Sequence, residues 1–149
     1  MWDKKIGLIQ WTFDIIHSSH IKVFEYCKKY CDYLIVALNS NELVKSYKWK
    51  ECVDTRENKA YLLESIKYID KVIKAEDESP LDMIKENNVD VFMCWDEFVD
   101  KHKWVMEYME SKGWETIIIP RFGMSTSKIK KVLLQEYLDD NKYTDTHAQ

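Results

Sequence analysis

Apolar and polar positions divide this chain into short apolar runs separated by stretches with helical spacing. KIGLIQWTF, residues 5–13, is rich in aromatic and β-branched side chains and predicts a buried strand. In HIKVFEYCKKYC, Ile21, Phe24, Cys27 and Cys31 share one face at helical spacing, with Ser18 or Ser19 available as the cap. DYLIVALN is continuously apolar, as expected of a strand buried on both faces of a parallel sheet. Strand, helix and strand in this order predict a βαβ unit with a right-handed crossover.

The rhythm continues to the end of the chain. NELVKSYKWKECVDT is a polar, lysine-bearing connection without a clear period. RENKAYLLESIKYI predicts an amphipathic helix with Leu62, Leu63, Ile66 and Ile69 on its apolar side. DKVIKA reads as a short strand. SPLDMIKENN has Ser79 as a cap and Pro80 at the first helical position. NVDVFMCW is a strand, DKHKWVMEYMESKG a helix closed by Gly113, and WETIIIP a strand stopped by Pro120. STSKIKKVLLQEYL predicts a last helix, and DDNKYTDTHAQ a frayed polar tail. Strands alternating with helices, without repeat or linker, predict a single Rossmann-like, doubly wound α/β domain over residues 1–138. Its five-stranded sheet should be mainly parallel, and residues 139–149 should form the tail. Such sheets take ligands at the carboxyl ends of their strands, so the loops after Phe13, Leu38, Trp95 and Pro120 are where chemistry is expected.

Composition narrows the partners. A formal charge of −4 argues against nucleic-acid binding by general electrostatics, but leaves room for a local basic pocket for a small anion. No apolar run approaches the length of a membrane span, and MWDKKIGLIQW lacks the apolar core of a secretory signal, so cytoplasm is the expected compartment. Cys27, Cys31, Cys52 and Cys94 form no CxxC pair and read as reduced, mostly buried thiols.

His17 and His20 then stand out, between a strand end and a helix start. A zinc site would need a third and fourth ligand, and His102 and His147 lie in segments with no reason to converge on them. Core histidines are one alternative. The other is anion binding, in which the free N–H groups of the helix end and two imidazoles hold a phosphate. A second helix start, PRFGMSTSKIKK, makes the same offer through Ser125, Thr126 and Ser127, with Arg121 and Lys128 nearby and Gly123 for backbone freedom. Ser-Thr-Ser alone would be an ordinary cap. Paired with the histidines on one sheet edge, it suggests two facing phosphate clamps.

TFDxxHxxH after the first strand, IKYIDKVI in mid-chain and MSTSKI opening the last helix together resemble the cytidylyltransferases. The glycerol-3-phosphate cytidylyltransferases are most similar, with choline- and ethanolamine-phosphate enzymes as relatives, and the likeness runs from about Lys5 to Leu134. The resemblance implies that a substrate phosphate attacks the α-phosphate of CTP, or of another nucleotide, and displaces pyrophosphate. The acceptor would be a small phosphorylated alcohol such as glycerol 3-phosphate. It implies that His17, His20 and Lys48 act in catalysis. Nucleotide binding would involve Trp11, Thr12, Phe13, Asp14, Ser19, Lys50, Trp95, Asp96, Arg121, Ser125, Thr126 and Ser127. Lys67 and Asp70 match a family Arg…Asp pair and would bind the acceptor, with a lysine that lacks the bidentate fork. Magnesium would enter with the triphosphate. A homodimer is expected by analogy, and Trp49, Trp104 and Trp114 could serve an interface or simply pack.

The chain departs from the family pattern at its glycines. GTFDxxHxGH becomes WTFDIIHSSH, with Trp11 and Ser19 in glycine positions, and GDDW becomes WDEF, with Trp95 in a third. The loop before Ser125 is one residue shorter than usual. Glycine there allows close approach of a ligand to the backbone, and tryptophan adds a large obstacle. Three accounts follow. The tryptophans reshape or stack on the nucleotide in an altered transferase. Alternatively, they fill the pocket and leave a binding protein. A third reading turns them away to pack on neighbouring helices.

Overall fold

The computed structural model describes residues 4–48 and 51–147, with side chains for 4–46 and 51–142. Five strands, β1 (Ile6–Trp11), β2 (Tyr33–Asn39), β3 (Lys71–Ala75), β4 (Val91–Trp95) and β5 (Glu115–Ile119), form one parallel sheet in the order β3-β2-β1-β4-β5. The chain builds outward from β1 to β3, then returns to β1's other side with β4 and β5. The reversal lies between β1 and β4, where a doubly wound sheet opens a crevice. Register pairs Gly7 with Val91 and Ile9 with Met93, so the two strands run out side by side at Trp11 and Trp95.

Two apolar layers cover the sheet. Alternation along β1 sends Ile9 to one side, with Phe24, Cys27, Val36 and Leu63, and Leu8 to the other, with Ile35, Ile84, Phe92 and Met109. The first layer is closed by helices α1 (Ser18–Cys27) and α3 (Arg56–Glu64), the second by α4 (Leu81–Glu86) and α5 (Lys103–Ser111). Cys27, Cys31 and Cys94 are buried free thiols and Cys52 is half-buried. Among the described residues no helix is long and apolar enough to cross a membrane.

Several local expectations change. Part of the aperiodic connection is helix α2 (Asn41–Lys48), capped by Ser40, whose Oγ accepts the Leu43 N–H at 3.0 Å. The cap of α1 is His17 rather than a serine, and the helix stops at Cys27, with residues 28–30 in a turn. The cap of α4 is Pro80 rather than Ser79. On α3 the buried positions are Lys59 and Leu63, while Leu62 is exposed. Gly113 closes α5 as expected, with φ at 73° and its N–H on the Glu110 carbonyl. The last helix, α6 (Thr126–His147), runs through the expected tail. No glycine or proline follows Gly123 to stop it, and Gln135 donates to Asp139 one turn on.

Candidate active site

The first wall begins where β1 ends. Phe13 is fully buried against the rings of His20 and Phe24, 5.2 and 5.4 Å away, with φ at 49°. A bulky side chain in the left-handed region stores strain on the order of 1–3 kcal/mol, here held by core packing. The turn sends Asp14 back across the site. Its carboxylate accepts the Val53 N–H at 2.7 Å and the Lys130 ammonium at 2.7 Å, tying the segment before α3 to α6. Burial alone would raise the Asp14 pKa, but these bonds outweigh it and hold the carboxyl below its usual value.

His17 and His20 form a stacked pair, ring centres 3.9 Å apart. The His17 backbone N–H donates to Nδ1 of His20 at 3.2 Å, so Nδ1 is the acceptor and a neutral His20 carries its proton on Nε2. Burial, and then the neighbouring His17, push His20 down to about 4, and burial lowers His17. Both rings are therefore neutral at pH 7, and they offer hydrogen bonds rather than full charges. Nδ1 of His17 is buried without a hydrogen-bond partner among the described residues.

The second wall is the loop from β5 to α6. Pro120 ends the strand, and Gly123 takes φ at 97°. Ser125 caps α6, its Oγ accepting the Lys128 N–H at 3.2 Å. Thr126 Oγ1 donates to the Ile15 carbonyl at 3.2 Å. Ser19 sews this loop to α1: its Oγ donates to the Phe122 carbonyl at 3.1 Å and accepts the Met124 N–H at 3.0 Å. Ser19, standing in a family glycine position, is thus a latch between the two walls. Arg121 is paired with Glu97 at 2.9 Å and Asp96 at 3.6 Å.

Between the walls lies a cleft of about 1060 Å³. It gathers Trp11, Thr12, Asp14, His17, Ser19, His20, Trp95, Arg121, Ser125, Thr126 and Ser127. Trp11 and Trp95 lie 5.3 Å apart, and Trp11 is 4.5 Å from Phe98, so the tryptophans pack on one another as an aromatic side wall. The cleft remains open beside them. Phe13 does not line the cleft; it supports His20 from the core. Asp96 does not line it either, and reaches the site only through Arg121.

Lys67 and Asp70 are not brought here. Asp70 precedes β3 and accepts the Leu34 N–H at 2.8 Å and the Lys28 ammonium at 2.6 Å, at the amino edge of the sheet. Lys67 lies over the Tyr68 ring. Lys48 ends α2 with its side chain outside the described set, and Lys50 lies outside the described residues, as does Trp49.

Three lysines were missed. Lys130 and Lys131 line the cleft, and helical spacing from Ser127 through 130, 131 and 134 was the available signal. Lys59, fully buried, has its Nζ 3.3 Å from the Thr12 carbonyl and 3.0 Å from Asn41 Oδ1, directly behind the first loop. A lysine in an amphipathic helix reads as solvent-facing, so nothing in the pattern pointed to it.

Among the described residues no group of three or more His, Cys, Asp or Glu side chains could hold a metal ion. Asp14, the acidic group nearest the histidines in sequence, is already engaged by Lys130 and Val53.

The comparisons agree with this geometry. The family model described as Cytidylyltransferase-like matches residues 11–132. The chain is 34% identical over 122 residues to glycerol-3-phosphate cytidylyltransferase of Bacillus subtilis (strain 168), covering 80% of this chain and 90% of that one. It is 30% identical over 126 residues to FAD synthase of Korarchaeum cryptofilum (strain OPF8), covering 80% and 84%. A solved structure, the lipopolysaccharide core biosynthesis protein from Thermoplasma volcanium GSS1, shares the fold with a TM-score of 0.70 at 18% identity, covering 80% of this chain and 99% of that one. With the cleft at the β1/β4 switch point and the matched span enclosing both of its walls, this chain belongs to the cytidylyltransferase-like family of nucleotidyltransferases.

Proposed function

We propose that this protein transfers CMP from CTP to a small phosphorylated alcohol, of which glycerol 3-phosphate is the first candidate. An oxygen of the acceptor phosphate attacks the α-phosphorus, the bond from that phosphorus to the bridging oxygen breaks, and pyrophosphate leaves. The observation that carries this reading is the pair of helix starts across one cleft, with His17 and His20 at one and Ser125 and Lys128 at the other. Free amides and the positive dipole end at each favour phosphate. Neutral imidazoles serve by hydrogen bonding to the α-phosphate oxygens as charge builds on them. Lys128, Lys130 and Lys131 supply the charge for the β- and γ-phosphates. Magnesium travels with the triphosphate, and no step here depends on it. Trp11 and Trp95 line the cleft, and their rings offer aromatic surface to a base.

A second reading, ligand binding without turnover, draws on a specific observation. The cations of the clamp already have partners: Arg121 on Glu97, Lys130 on Asp14, and Lys128 on the Gly123 carbonyl at 2.9 Å. A triphosphate must displace at least some of these. A pyrophosphate-release screen of four nucleoside triphosphates against several phospho-alcohols separates the readings. Transfer predicts turnover with at least one pair, reduced about 10²-fold or more in His17→Ala and His20→Ala. A nucleotide-induced rise in Tm without pyrophosphate supports the binding reading. Neither signal with any nucleotide would overturn both.

A further inference from the structure

A second, much smaller cavity lies behind the tryptophans, on the side of the sheet covered by α4 and α5. Its volume is about 20 Å³, room for one water-sized group. Trp11 and Trp95 line both this chamber and the cleft, so the two spaces share a wall. Gln10, Glu78, Lys101 and His102 give the chamber a polar lining that core packing does not call for.

Two of these side chains have hydrogen-bonding capacity to spare. Gln10 follows Leu8 on the same face of β1, near its carboxyl end. Its Nε2 donates to Asn39 Oδ1 and to the Asp77 carbonyl, both at 2.8 Å. The Asp77 carbonyl can only accept, so the amide cannot turn over, and Oε1 is left buried with no partner among the described residues. An acceptor placed in this way calls for a donor. The His102 ring is held by Phe92 at 5.4 Å and Phe98 at 6.4 Å, contacts that use neither of its nitrogens. Burial, and then Lys101, hold His102 below its usual pKa against an opposing pull from Glu78. At pH 7 it is therefore a neutral imidazole with one N–H and one acceptor nitrogen.

We propose that this chamber receives a free hydroxyl of the acceptor, read by Gln10 and His102, and so selects polyol phosphates over alkyl and amino-alcohol phosphates. The inference rests on the transfer reading above and adds the residues that choose the acceptor. A hydroxyl donates and accepts at once, which is what Gln10 Oε1 and a neutral imidazole together require. A methyl group would leave both unpaired. An ammonium can only donate, and Lys101, 3.3 Å from Glu78, already supplies a cation to the chamber. Reach is adequate: Gln10 stands two residues, about 7 Å of strand, before Thr12, which lines the cleft. A three-carbon alcohol phosphate extends over a similar length.

The test is titration calorimetry of the full chain, with and without the α,β-methylene analogue of CTP, against glycerol 3-phosphate, propyl phosphate and phosphoethanolamine. In the parent, glycerol 3-phosphate should bind about tenfold or more tighter than either of the others. In His102→Phe, which keeps a ring between Phe92 and Phe98, and in Gln10→Met, that preference should shrink to about threefold or less. Thermal melts check the fold of each variant, and His102→Phe carries the test alone if losing the bonds to Asn39 and Asp77 unfolds Gln10→Met. Equal affinities in the parent overturn the inference, as do a preference unchanged in the folded variants and a lack of binding by all three compounds. Pyrophosphate release from CTP in parallel samples keeps the two readings apart. A hydroxyl preference without turnover upholds the chamber and sinks the transfer reading, whereas turnover with equal affinities does the reverse.

Discussion

Ser19 shows how one side chain can change the meaning of a motif. In a glycine position it looks like an obstruction, yet its hydroxyl both donates to Phe122 and accepts from Met124, joining the two walls of the cleft. Ser19→Ala leaves that carbonyl and N–H without their partner and should cost about 1–3 kcal/mol of stability. It should also expose the loop around Gly123 to proteolysis. Urea denaturation and limited proteolysis read both effects, and an unchanged loop would show that Pro120 and the Ser125 cap suffice to hold it. Lys59 works from the other side, placing an ammonium on the Thr12 carbonyl behind the turn that presents Asp14.

At the scale of elements, β1 sits at the centre of the sheet and has the least room to vary. Gly7 lies under both Met93 and Cys31, and a Cβ there would stand 2.5 Å from Met93 Cε and 2.8 Å from Cys31 Sγ. Close approach, not unusual backbone geometry, is why glycine is found here. Gly7→Ala should destabilise by about 1–3 kcal/mol through overpacking of the central strand against Met93 of β4 and Cys31, which follows the turn after α1. A urea midpoint within error of the parent would mean that the Met93 methyl simply rotates aside. The loops after β1 and β5 form the two walls of the cleft, and each is braced by a helix start.

For the whole molecule, the neutral histidine pair sets a pH dependence. His20 lies near 4 when folded, and an unfolded histidine near 6.5. As pH falls through this window the unfolded chain takes up the proton first, so stability is full above about 6.5 and declines towards 4. The loss from His20 is on the order of 3 kcal/mol by pH 4, and the lowered pKa of His17 acts in the same direction. Asp14 and Asp70, both held below the usual carboxylate value, add their losses only in stronger acid. Urea midpoints at pH 7.5, 5.5 and 4.5 should fall in order, with a shallower slope in His20→Gln. Equal midpoints at pH 7.5 and 5.5 would contradict the buried, neutral pair.

Local periodicity was enough to specify the strand–helix alternation, the parallel sheet and the edge where a ligand would lie, because burial on both faces of a strand demands continuous apolar runs. The two helix starts, with His17, His20 and Ser125, were legible for the same local reason: caps and free amides depend on only a few neighbouring residues. Leu62, Lys59 and Lys130 were not, because a helical pattern gives a face without saying what stands opposite it. Lys67 and Asp70 matched a motif, but the sheet placed them at the amino edge, and Asp70 closes β2 against β3 there. Whether the cleft was open or filled was also beyond the sequence. Trp11 and Trp95 have the bulk to fill it, and only the side-by-side exit of β1 and β4 turned them onto each other and Phe98. Side-chain type is a property of the chain, but the direction in which a side chain spends its volume is decided by its tertiary neighbours.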